Sequence, residues 1–210
     1  MDLYRMSFWQ VFLAGGPVMW PILFCSIFAL AIIIEKLWHL HKVRIDSQEF
    51  LGNILEKMKR HEIKEALVIC DNTKSPISRI LKVGILKNDR PRAQIQEAIE
   101  DASLYEIPKL EKNLSILATI AHISPLLGLL GTVTGMVRCF QTIQAKTASL
   151  HPVSPGDLAG GIWEALLTTV AGLVVAIPTF VVYNYLVNRI NSVILEMEKA
   201  ATEFVNFLTE

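Results

Sequence analysis

Three long apolar runs, broken by a single carboxylate, decide what this chain can fold into. Residues 17–34 hold 18 positions without a charge, residues 114–137 hold 24 whose only ionisable group is His122, and 160–186 carries Glu164 and then no charge until Arg189. At a rise of about 1.5 Å per residue the first run just crosses a hydrocarbon core of about 30 Å, and the other two are long enough to tilt. The composition agrees, with 52% hydrophobic residues and a mean hydropathy of +0.41. The N-terminus has Asp2 beside Arg5 rather than a basic cluster, and the first run ends in Glu35-Lys36 rather than a small-residue cleavage site, so it reads as a retained anchor.

The zero net charge hides an asymmetry. Of 20 Lys and Arg, 15 fall in 35–113, and Arg5, Arg138, Lys146, Arg189 and Lys199 are spread over the remainder. Lys36, Lys42 and Arg44 follow the first span, and Lys109 and Lys112 precede the second, so the positive-inside rule places 35–113 in the cytoplasm, the N-terminus outside and the C-terminus inside. Cys25, Cys70 and Cys139 then fall in three different settings, and no intrachain disulfide is expected.

The expected layout is an outer interfacial helix over 1–16, spans at 17–34, 114–137 and 160–186, a helical cytoplasmic loop over 35–113, a short outer connection over 138–159 and a cytoplasmic helix over 187–210. Gly15-Gly16-Pro17 turns the chain into the bilayer. In the loop, Phe50, Leu51, Ile54, Leu55 and Met58 recur at helical spacing, as do Ile63, Ala66, Leu67 and Cys70, and then Ile77, Ile80, Leu81, Ile85 and Leu86. From Arg92 the pattern continues without a glycine, predicting one long helix into the second span with Pro108 as a kink. Ile190, Val193, Ile194, Met197, Ala201, Phe204 and Leu208 carry the third span onward. No strand is predicted.

Glu164 is the first candidate site. A charge inside a span costs about 2.5–3.5 kcal/mol on insertion scales, so it has a partner, a function or a route to water. The function reading is a proton or cation site, and the competing one is a carboxylate that snorkels to the outer surface. At 100° per residue Thr168, Ala171, Val175 and Pro178 share its face, whereas Thr169 lies on the flank. In the second span Pro125, Gly128, Thr132 and Gly135 share a face, and Gly131 with Gly135 forms a small-xxx-small pair suited to close helix approach. Gly172 and Pro178 allow local irregularity in the third. Plain packing competes with an ion path for all of these. His122 is a relay candidate or a helix–helix hydrogen-bonding group. Asp157 and Arg138 read as solvated outer charges, with a contact from Arg138 to Glu164 left open. No phosphate loop, metal-ligand cluster or hydrolase triad is present in the sequence, and no enzyme activity, cofactor or nucleic-acid partner is expected.

GLLGTVTGM at 128–136 and PGDLAGGIWEALLTTVAGLVVAIPTFVVYN at 155–184, in this order in a three-span chain with a large first loop, resemble the MotA/TolQ/ExbB proton-channel family, in its ExbB/TolQ branch. MotA-type members are longer, with four spans. The resemblance implies an all-α membrane protein assembled as a homopentameric ring around a central pore in a bacterial inner membrane. That pore would hold the single spans of a dimer similar to ExbD/TolR, and the assembly would act on a TonB- or TolA-like protein. It matches Glu164, Thr132 and Thr169 to the family's pore positions, where the angular count favours Thr168, so both threonines are candidates. Trp163 and Arg138 depart from the usual pattern. The implied ion is a proton, with sodium open because Thr hydroxyls and a carboxylate are hard oxygen ligands. The resemblance leaves open ExbB-like transport, TolQ-like envelope maintenance and a gliding motor; a non-conducting scaffold is the rival outside the family's chemistry.

Overall fold

A computed structural model describes residues 8–43, 45–150 and 152–208. Its elements are helices throughout: α1 (Phe8–Ala14), α2 (Met19–Val43), α3 (Ser47–Lys59), α4 (Ile63–Asn72), α5 (Pro76–Leu86), α6 (Arg92–Glu111), α7 (Leu114–Ala148) and α8 (Pro155–Phe207). No strand occurs among the described residues, and α2, α7 and α8 each include a stretch long and apolar enough to cross a membrane. Residues 1–7 of the expected interfacial helix lie outside the described residues. Helix α7 continues to Ala148 and α8 begins at Pro155, so little of 138–159 is non-helical.

The helices form two compact units. The first contains the described residues up to Ile33 and those within Leu114–Asn184. Here α1 is closed after Ala14 by Gly15, whose N–H reaches Val11 O at 3.2 Å, and Gly16 turns the chain with φ of +73°, a conformation glycine adopts without a Cβ penalty. Phe12 anchors the turn, stacked on Trp9 and edge-on to Trp20. Helices α7 and α8 run antiparallel along facing seams of small residues. Ser124, Gly128, Gly131, Gly135 and Cys139 are buried on α7, opposite Gly161, Ala165, Thr168 and Gly172 on α8. A Cβ added at Gly128 would lie 3.0 Å from Thr168 O, one at Gly135 2.7 Å from Gly161 O, and one at Gly172 2.6 Å from Ser124 O. Dispersion between closely approaching backbones holds such a pair where lipid removes any hydrophobic drive.

The second unit contains the described residues within Ile34–Asn113 and from Tyr185 onward. Asp46 caps α3 by accepting from the N–H groups of Gln48 and Glu49, and Pro76 opens α5 at a position that needs no donor. Helix α5 is the most enclosed, with Ile77, Ile80, Leu81 and Ile85 all at most 1% exposed, and Gly84 lets Ile99 of α6 and Phe204 of α8 close over it. The predicted single helix from Arg92 into the second span is corrected here. Pro108 sits inside α6, and the interruption falls at Lys112-Asn113, where Asn113 takes φ of +65°. That break leaves the last carbonyls of α6 without helical partners. Lys36, 3% exposed, donates to Leu110 O at 2.8 Å, and Asn113 donates to Glu35 at 3.1 Å. Desolvation lowers the Lys36 pKa, partly offset by Glu35.

Candidate functional site

The α7–α8 seam carries Glu164 into the interior of the first unit, one turn along α8 from the contact of Gly161 with Cys139. Its residue is 9% exposed. The carboxylate meets Arg138, which lies on α7 one position before the seam residue Cys139. One guanidinium nitrogen, Nη1, donates to both carboxylate oxygens, at 2.5 Å to Oε1 and 2.6 Å to Oε2. Arg138 is thus more than a solvated outer charge; its side chain is half-exposed and its end is fixed on Glu164. On the remaining side stands Gly16, where a Cβ would collide with Oε1. Three segments distant in sequence therefore converge on one carboxylate.

The threonines are placed differently from one another. Thr168 is fully buried, with its hydroxyl donating to Ala165 O at 2.8 Å and its side chain filling the space left by Gly131. Thr169 is half-buried and shares its hydroxyl between Gly128 O across the seam and Ala165 O on its own helix, each at 3.3 Å. Thr132 is half-buried beside the seam and donates to Leu129 O at 2.6 Å. Of the glycines, Gly128, Gly131, Gly135 and Gly172 all line the helix contact, whereas Pro178 is exposed on α8. His122 is exposed, with Nδ1 2.7 Å from Ala118 O and the ring edge-on to Phe180. It stands 16 residues from Arg138, about 24 Å along α7, and is not part of the Glu164 cluster. Among the described residues no His, Cys, Asp and Glu group could hold a metal ion.

What the arrangement offers chemically is a carboxylate with a fixed cation, shielded from water between apolar helices. Among the described residues its side-chain partner is the Arg138 guanidinium, so the site holds two opposite charges in contact. Residues 72–199, from the end of α4 to the far part of α8, match the MotA/TolQ/ExbB proton channel family. The chain belongs to this family. An ExbB homolog of Methanothermobacter thermautotrophicus is 30% identical over 190 residues, which cover 90% of this chain and 66% of that protein. Aquifex aeolicus ExbB is 39% identical over 124 residues, 58% of this chain and 74% of its own length. Haemophilus influenzae TolQ is 38% identical over 124 residues, covering 57% of this chain and 52% of TolQ. MotA/TolQ/ExbB proteins are channels and transport subunits rather than enzymes, and the match includes all of α7 together with Glu164. Gly16 lies outside the matched residues.

Proposed function

We propose that this chain is the ion-channel-forming subunit of an inner-membrane motor that converts proton-motive force into mechanical work at the cell envelope, ExbB-like in its use. The observation that carries the reading is Glu164, nine-tenths buried within the family-matched pair of apolar helices. Five copies would form a ring around the single spans of an ExbD/TolR-like dimer, with the N-terminus outside, the C-terminus in the cytoplasm and a TonB-like protein receiving the work. Glu164, Thr132 and Thr169 would border the ion path. Thr168 ranks behind them because its hydroxyl is enclosed by the seam. Each proton crossing releases about 2.3 kcal/mol per 100 mV of membrane potential, and the pH gradient adds to that. TolQ-like envelope maintenance is the second reading, supported by the 38% identity to Haemophilus TolQ.

The test is proton flux into liposomes carrying the chain with its single-span partner. Glu164→Gln is expected to stop flux while the assembly elutes unchanged. Full flux in that variant would overturn the reading.

A further inference from the structure

We propose that Arg138 is a built-in counter-ion that occupies the cation place on Glu164 and so denies this carboxylate to alkali-metal ions. The inference deepens the ion-handling reading at the same residue. A metal ion bound to a carboxylate takes the position between or beside the two oxygens, and Nη1 of Arg138 already stands there, in reach of both. The pair is neutral, so the attraction Glu164 alone would exert on a second cation is cancelled, and the guanidinium repels an incoming ion. The third side is closed by Gly16, whose left-handed backbone brings the chain against Oε1.

The neighbouring oxygens point the same way. A small cation needs several oxygen ligands converging on one point. The hydroxyl of Thr168 is directed at Glu164 O and Ala165 O, that of Thr169 at Gly128 O and Ala165 O, and that of Thr132 at Leu129 O. These are backbone carbonyls, and no second oxygen ligand is aimed at the carboxylate among the described residues. The charged groups facing Glu164 are equally few. Helix α7 presents Arg138 and the α1–α2 turn presents the uncharged Gly16, and after Glu164 the sequence of α8 carries no charge before Arg189.

Equilibrium binding of radioactive sodium to the detergent-purified full chain tests the assignment without requiring conduction. The variants are R138Q, R138K, E164Q and R138Q/E164Q, with R138M replacing R138Q in each construction if R138Q does not elute with the wild type. The wild type and R138K are expected to bind no more sodium than E164Q. R138Q is expected to hold about tenfold more bound sodium than this common background at one subsaturating concentration, and the double variant to lose that gain. Sodium binding by the wild type that E164Q removes would overturn the proposal, as would a folded neutral variant with no gain. Proton flux in liposomes separates this from the channel reading. A sodium site gained in R138Q, with no proton flux in the wild type, would uphold the role of Arg138 and remove the channel.

Discussion

At Glu106, burial and charge pull in opposite directions. Burial on α6 disfavours the charged carboxylate, whereas hydrogen bonds from Arg79 at 2.6 Å and Lys109 at 2.7 Å favour it and prevail, holding the carboxyl below its ordinary range. A carboxyl depressed in the folded state contributes stability that is fully present above its unfolded value, about 4.3, and is lost as pH falls through the folded one. Thermal stability, followed by circular dichroism, should therefore fall as the pH is lowered below about 4. Glu106→Gln should cost about 1 kcal/mol at neutral pH, since Arg79 can turn to water, and should flatten that acid response. A variant as acid-sensitive as the wild type would place the response elsewhere. Individual residues were legible in the sequence to the extent that their cost was local. Glu164 stands out because a charge in an apolar run is expensive wherever the helix packs. Arg138 lies 26 residues away, and its assignment to Glu164 depends on the register of α7 against α8, which no local pattern encodes. The face count groups Thr168 with Glu164, yet it cannot say that Gly131 is what Thr168 meets.

Glycines inside helices separate packing from propensity. Gly52 on α3 has no atom within 4 Å of the place a Cβ would take, so Gly52→Ala should stabilise by about 0.5–1 kcal/mol through backbone entropy alone. Gly131→Ala gains the same propensity but drives a methyl into Thr168 and should be net destabilising, by about 1–3 kcal/mol. Parallel thermal melts in one detergent check the pair, and equal shifts would mean that the seam yields more readily than its close backbone contacts imply. Helices α2, α7 and α8 were readable from uninterrupted apolar runs, and α3–α5 from helical spacing between turn-forming clusters. The break between α6 and α7 was not. Pro108 is the residue a pattern marks, but a proline at an exposed helix position can be accommodated, whereas Asn113 turns left-handed where Lys36 and Glu35 can receive the freed groups. Those two partners lie 74 and 78 residues away in sequence.

At the scale of the whole chain, the distribution of charge makes a prediction that the helices alone do not. Fifteen of 20 basic residues fall in 35–113, and retention of Lys and Arg on the cytoplasmic side would place α3–α6 there and residues 149–154 outside. Impermeant thiol reagents can read this, provided the native cysteines stay silent. Cys70 is 3% exposed, and burial, helped by Asp71, pushes its thiol up to about 11, leaving little reactive thiolate at neutral pH. Cys139 is buried against Leu158 O, and Cys25 is half-buried on α2. New cysteines at the exposed positions Val153 and Leu104 should then report opposite sides. Val153→Cys is expected to react in intact cells, and Leu104→Cys only after the membrane is opened. The reverse pattern would invert the orientation while leaving every helix in place, because apolar length sets which segments span and charge sets only which way they point. An inverted chain would also turn Glu164 and Arg138 toward the cytoplasmic end of their spans, and an outer proton could no longer reach that carboxylate first.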